Sequence, residues 1–383
     1  MADSPLKIGF VFDDSLDKTD GIQQYVLSLG AWLGSQGHEV HYLVGETRRR
    51  DMPRVHSLSK NVAVRFNGNR LSMPLPAPKD ALKALLLEEQ FDVLHVQMPY
   101  SPWLAGHVIR AAQPQTAIVG TFHVAPNSKL MTLGTLLLGA WVRRSLKRFD
   151  AVVSVSTAAQ TFARQTFGID TPILPNVVDY EYFHAAEPFK EYKDGIKTVL
   201  FLGRLVQRKG CRLLLEAVKL LAESGEVPAF RVLICGKGPL EGSLKAYVRA
   251  NRLGQWVTFT GFVSEADKPR YYASADIAVF PSRGGESFGI VLLEAMASGN
   301  AAVLAGSNSG YASVMGKGSD LLFNPLDASE LAAKLKLLLS DEQRRRSAAS
   351  WGSKHAQDFD TGKVGTRLEA IYKQALRSRR NMR

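Results

Sequence analysis

Cysteine is nearly absent: the chain carries two in 383 residues, Cys211 and Cys235. Such a pair builds neither a disulfide framework nor a metal-ligand cluster, and it points to a reducing cytoplasm. Long apolar runs are missing too. No stretch reaches the ~20 apolar residues that span a bilayer. The opening MADSPLKIGFVFDD lacks a basic start followed by a long apolar stretch, so no signal peptide is expected. Neither half follows its first strand with G-x-G-x-x-G or G-x-x-x-x-G-K-[ST], which weakens dinucleotide oxidoreductases and P-loop NTPases. His38 and His41 have no acidic or cysteine partner at ligand spacing. The DFD at 358–360 sits at the start of the last helix, remote in sequence from the other candidate residues, and no metal site is expected from either. Acidic residues are outnumbered: 36 Asp and Glu against 48 Lys and Arg leave a formal charge of +12. That charge favours an anionic partner, whether nucleic acid, anionic lipid surface or phosphorylated substrate, without choosing among them. The basic clusters TRRRD (47–51) and EQRRRS (342–347) read as solvated faces.

What is present is a steady alternation of strand and helix. KIGFVF, HEVHYLV, FDVLHV, AIVGTF, AVVSVS and TPILP read as strands, with GIQQYVLSLGAWLGSQG as the clearest helix among them. The alternation restarts with KTVLFLGRL and continues to helices at 327–340, 341–357 and 361–378. Between the halves, DYEYFHAAEPFKEYKDGIK (179–197) has no strand or helix period. Two doubly wound α/β domains are therefore expected, at 1–185 and 186–365, followed by a helix and basic tail at 366–383 able to fold back on the first. Ligands of such sheets sit at the carboxyl ends of the strands, so two facing sheets put the site in the interdomain cleft.

The stretch PSRGGESFGIVLLEAMASG (281–299) is the most informative. Phe288, Val291, Leu292, Ala295 and Met296 share one helical face, Gly299 ends the helix, and ADIAVFPS before it reads as a buried strand. A Gly284-Gly285 turn into a helix leaves backbone N–H groups and the positive dipole end for an anion. Glu286 and Glu294 suit sugar hydroxyls better than phosphate. An anion cradle beside hydroxyl acceptors suggests a nucleotide sugar. FLGRLVQRKG (201–210) adds Arg204 after a strand and Lys209 before a helix, two cations able to neutralise a diphosphate. GTFH (120–123) ends a strand at His123, and Gly21 starts a helix where backbone can approach a phosphate closely.

These segments, with ICGKGP, TFTGFVSEADKPRYYASADIAVFPS and LPNVVD, resemble glycosyltransferase family 4 almost end to end. The Glu286-x7-Glu294 pair with its upstream Arg204 and Lys209 is the specific signal. The resemblance implies a retaining enzyme of the GT-B type, with two facing Rossmann-like domains. It implies that Arg204 and Lys209 bind the donor diphosphate, that Gly21 approaches it, and that Glu286 holds hydroxyls of the transferred sugar. The N–H groups of Phe288, Gly289 and Ile290 would lie along the sugar and phosphates, Glu294 would take the ribose hydroxyls, and His123 would orient the sugar. The catalytic set would be His123, Arg204, Lys209 and Glu286. The leaving phosphate would help deprotonate the acceptor, so no dedicated carboxylate nucleophile is needed; no tightly bound cofactor or metal-ligand set is expected, and the sequence allows Mg2+ at the diphosphate without requiring it.

Within the family, the pattern GGESFGIVL is similar to that of members passing mannose from GDP-mannose to phosphatidylinositol. Gln23, Asn67 in NGN (67–69) and Lys129, one residue out of register, match their acceptor-side positions. Asp13, Asp14 and Asp20 depart from that pattern and are unfavourable beside an anionic inositol phosphate. NSKLMTLGTLLLGAWVRRSLKRF (127–149) joins an apolar face to Trp141 and to Arg143, Arg144, Lys147 and Arg148, which suits an anionic membrane surface. The expectation is a cytoplasmic hexosyltransferase, peripheral on the inner face of the membrane, with no nucleic-acid partner. A UDP-sugar enzyme acting on diacylglycerol or a soluble acceptor, and a non-catalytic basic nucleic-acid-binding protein, are the alternatives.

Overall fold

The computed structural model describes residues 4–17, 20–49, 51–66, 69–74, 78–123 and 145–381. The chain divides into two compact units, one of 1–177 with 361–383 and the other of 178–360. The boundaries differ from those read off the sequence at 185 and 365. The helix Tyr180–His184 belongs to the second unit, where His184 Nδ1 lies 3.2 Å from the carbonyl of Ala297. The final helix, Thr361–Asn381, belongs entirely to the first.

In the first unit, β1 (Lys7–Phe12), β2 (Glu39–Val44), β3 (Val55–Ser57), β6 (Val93–Gln97), β7 (Ala117–Phe122) and β8 (Ala151–Ser154) form one parallel sheet. The order is β3-β2-β1-β6-β7-β8. These strands are near-continuous apolar runs because both faces are covered. The helix Gly21–Ser35 buries Tyr25, Val26, Leu29 and Leu33 against the sheet. Its Gly30 is needed there, since a Cβ would stand 2.2 Å from the Tyr42 hydroxyl of β2. The final helix buries Val364, Leu368, Tyr372 and Ala375 in the same core. An antiparallel hairpin, β4 (Asn61–Phe66) with β5 (Asn69–Pro74), was not legible as a pair; Asn67 lies outside the described residues. TPILP makes only a single bridge, Ile173 to Ser154.

The second unit repeats the topology. Its strands β9 (Lys197–Leu202), β10 (Phe230–Cys235), β11 (Val257–Gly261), β12 (Ile277–Phe280), β13 (Ala302–Gly306) and β14 (Leu322–Phe323) pair in parallel in the order β11-β10-β9-β12-β13-β14. In each unit the strand order reverses once, between β1 and β6 and between β9 and β12. That crevice, at the carboxyl ends of the strands, is where open α/β sheets bind ligands. Cys211 and Cys235 are both buried in the second unit as free thiols.

Candidate active site

The switch point of the second unit is built from two turns. One is the short 3-10 turn Gln207–Lys209 after β9; the other is the loop 281–289 after β12. The backbone locks them together: Arg283 N donates to Arg208 O at 2.8 Å, and Ser282 Oγ lies 3.1 Å from the same carbonyl. Gly210 makes this approach possible. Its φ is +71°, and a Cβ would lie 1.9 Å from the Pro281 carbonyl oxygen. The docking brings Lys209 Nζ to 2.8 Å and Arg208 Nη1 to 2.7 Å of Glu286 Oε1, to which Ser282 Oγ also donates at 2.8 Å. Burial opposes the Glu286 charge, but Lys209 and then Arg208 outweigh it and hold its carboxyl below the usual range. The result is an ionised carboxylate and two fixed cations within reach of one ligand.

The helix that follows spans Ile290–Ala297, so Phe288 precedes it instead of belonging to its ladder, although Phe288 is buried as expected. Its N-cap is Gly289, at φ +133°, and no side chain caps it. Leu292 N already donates to Gly289 O at 2.9 Å, so the dipole and the N–H groups ahead of it are what the helix offers a ligand oxygen. Glu294 sits inside this helix at 3% exposure. Its Oε1 accepts from Lys268 Nζ at 2.7 Å and its Oε2 from Tyr272 OH at 3.2 Å. Lys268 is itself buried, and also pairs with Glu265 at 2.6 Å. Arg204 follows the end of β9 and is exposed. Sequence reasoning missed Arg208, Ser282, Lys268 and Tyr272. The adjacency of Arg208 to Lys209 was visible, but only the docked turns show which carboxylate they share.

In the first unit, His123 follows β7 and is 4% exposed. Its Nε2 lies 2.6 Å from Gln97 Oε1, at the end of β6. Beneath it, the His95 ring nitrogens contact Tyr372 OH and Thr121 Oγ1, each at 2.7 Å. Gly21 begins its helix, and the N-cap residue Asp20 makes no side-chain cap bond. Gln23 is fully buried and donates to Ser15 O at 3.1 Å, so what it offers directly is a fixed 13–17 loop. Asp13 is buried rather than presented at the surface. Its buried carboxylate accepts from Ala105 N at 2.7 Å and from the Ser101 hydroxyl, and burial pushes its pKa up to about 6. Lys129 and most of 127–149 lie outside the described residues. Arg148 of that basic flank is half-buried and donates to Gln113 O at 2.9 Å. No described helix is long and apolar enough to cross a membrane.

The histidines set aside as lacking carboxylate partners have them in space. His38 Nε2 is 3.5 Å from Glu369 Oε1, and His41 Nε2 is 2.8 Å from Glu39 Oε1 and 3.8 Å from Glu89 Oε2. His41 Nδ1 meets His56 Nε2 at 2.9 Å. Lys7 joins this cluster, its ammonium 2.8 Å from Glu89 and 3.1 Å from Glu39, and ligand atoms of His41, His56 and Glu89 lie within 4.8 Å of one another. A cavity of about 740 Å3 in the second unit, lined by Lys197, Asp276, Arg345 and Lys354, opens at the amino ends of β9 and β12, away from the switch point.

Burial pushes the pKa values of His95 and His123 down to about 3, with the His123 ring adding to the shift at His95. The unfolded chain, with histidines near 6.5, binds protons that the folded unit refuses, so stability is lost as pH falls below that value. By about pH 5 the loss is roughly 2 kcal/mol for each ring. Asp13, whose raised pKa acts with the opposite sign, returns about 1 kcal/mol over the same window. The urea midpoint of the first unit, followed by fluorescence of Trp32, is therefore expected to be lower at pH 5 than at pH 7. Equal midpoints would contradict the burial of two neutral rings.

Two doubly wound units, one carrying paired cations and a carboxylate at its switch point, are the architecture of a GT-B glycosyltransferase, and the comparisons with known proteins place the chain in that class of nucleotide-sugar-dependent enzymes. Family models match on both sides of the division, glycosyltransferase family 4 over residues 19–182 and glycosyl transferases group 1 over 185–355. The chain is 34% identical over 372 residues to the phosphatidyl-myo-inositol mannosyltransferase of Mycolicibacterium smegmatis, covering 96% of this chain and 93% of that one. It is 31% identical to the protein of that name from Mycobacterium tuberculosis, over 96% of both. In fold it is similar to a glycosyltransferase from Rickettsia africae, with a TM-score of 0.76, 16% identity and coverage of 97% and 99%. Sucrose-phosphate synthase from Thermosynechococcus elongatus gives a TM-score of 0.73 at 19% identity, with coverage of 97% and 100%. The chain belongs to the family-4 glycosyltransferases. It is an enzyme, and the non-catalytic reading falls away.

Proposed function

We propose that this enzyme transfers mannose from GDP-mannose to phosphatidylinositol, with retention of configuration, at an anionic membrane surface on the cytoplasmic side. The observation that carries the chemistry is the convergence of Lys209 and Arg208 on Glu286 at the strand-order reversal. The end-to-end similarity to relatives named for mannosyl transfer to phosphatidyl-myo-inositol supports the acceptor.

In this reading Lys209 and Arg204 neutralise the departing diphosphate, and the N–H groups around Phe288, Gly289 and Ile290 solvate its oxygens. Charge develops on that leaving group as the glycosidic bond breaks, so fixed donors aimed at it lower the barrier without reorganising. When the donor enters, Lys209 turns from Glu286 to phosphate and Glu286 accepts from sugar hydroxyls. Arg208 and Ser282 keep the carboxylate placed and ionised meanwhile. Glu294, held by Lys268 and Tyr272, keeps lone pairs for the ribose hydroxyls. Gly21 and His123 belong to the donor side, and Gln23, Asn67 and Lys129 to the acceptor side.

The test is transfer by purified protein with GDP-mannose, UDP-glucose or UDP-GlcNAc, with and without phosphatidylinositol vesicles. Turnover of GDP-mannose that depends on inositol lipid is expected. Preference for a UDP-sugar would leave the transferase chemistry standing and overturn the donor.

A further inference from the structure

His123 makes one hydrogen bond among the described residues, through Nε2 to Gln97 Oε1 at 2.6 Å. Which amide atom faces the ring is settled by the other end of Gln97. Its Nε2 donates to the His95 carbonyl at 3.3 Å, and a carbonyl oxygen accepts only, so the amide oxygen must be the atom turned to His123. An amide oxygen also accepts only, so the proton between them belongs to His123 Nε2. Gln97 is fully buried, at the carboxyl end of β6 beside β7, and turning its amide over would set its oxygen against the His95 carbonyl oxygen.

We infer that Gln97 is a positioning residue that fixes His123 as its Nε2–H tautomer, leaving Nδ1 as a bare acceptor for a donor-sugar hydroxyl. The ring then orients the sugar by accepting a proton-bearing hydroxyl and has no proton to give to the leaving phosphate. Burial keeps the ring neutral, and its titratable neighbours are Tyr25, edge-on at 4.9 Å between ring centroids, and His95 below. This rests on the reading of His123 as a residue of the donor site.

The experiment is 15N NMR of the histidine side chains in full-length protein, with His123→Ala assigning the ring, joined to transfer kinetics of Gln97→Glu and Gln97→Leu. The wild-type ring is expected to show a protonated Nε2 and an unprotonated Nδ1 that do not change between pH 8 and pH 5.5. Gln97→Glu, nearly isosteric, places a carboxylate on Nε2. It is expected to bring the His123 ionisation into the measured range, adding a step to the kcat profile that wild type lacks. Gln97→Leu, if folded, is expected to lose about tenfold in kcat. A wild-type ring protonated on Nδ1, or a Gln97→Glu profile that superimposes on wild type, would overturn the inference. Unchanged transfer in His123→Ala would instead remove His123 from the donor site, while the wild-type spectrum would still decide what Gln97 does to the ring. Should neither Gln97 variant fold, that spectrum alone sustains or overturns the tautomer.

Discussion

Lys209→Ala is expected to lower the transfer rate by about 10²–10³-fold, the usual consequence of removing one preorganised donor from a developing anion. The fold should survive, because the Gln207–Lys209 turn is held by backbone, with Lys209 N donating to Val206 O at 3.0 Å. Glu286 keeps Arg208 and Ser282 as partners, so the carboxylate is not orphaned. Loss of leaving-group stabilisation should then appear in kcat with an unchanged far-ultraviolet spectrum and melting temperature. A folded Lys209→Ala protein within tenfold of wild type would remove Lys209 from the chemistry.

Replacing Glu294 should affect stability and binding together. Glu294→Ala leaves Lys268 buried, with Glu265 as its remaining ion-pair partner at a half-exposed site, and leaves Tyr272 OH without its acceptor. Breaking one side of a buried pair costs about 3–5 kcal/mol. Glu294→Ala should therefore unfold at a clearly lower denaturant concentration than wild type, and Glu294→Gln, which keeps an acceptor for Tyr272, should fall between them. Calorimetric titration of the folded Gln variant should show about tenfold weaker binding of GDP, from loss of a charged acceptor to the ribose hydroxyls. Undiminished stability in Glu294→Ala would show that Lys268 is not tied to this carboxylate.

The parts legible in the sequence were those written in local pattern. Strand–turn–helix periodicity located β12, the glycine turn and the helix at 290–297, and put Glu286 on the turn and Glu294 in the helix. The two-unit organisation followed from the restart of alternation near Lys197. What the pattern did not carry was pairing between distant residues. Asp13 looked like a charge beside the acceptor, yet it is buried against the helix at 104–111. The carboxylate nearest His41 is Glu39, two residues away on its own strand and passed over in the sequence, whereas Glu89 and His56 reach it from other elements. The helix start moved from 288 to 290 because Gly289 adopts a positive φ that no periodicity reveals. Gln97 gave no sign in a strand of apolar neighbours; its meaning comes only from β6 lying beside β7.

The central claim is a GDP-mannose-dependent transfer to an inositol lipid, and the most direct measurement is the rate of mannose transfer with GDP-mannose against UDP-glucose on vesicles with and without phosphatidylinositol. The account predicts turnover of GDP-mannose that appears with phosphatidylinositol and falls by about 10²–10³-fold in Lys209→Ala. Turnover of UDP-glucose in place of GDP-mannose, or a rate indifferent to the inositol lipid, would contradict it.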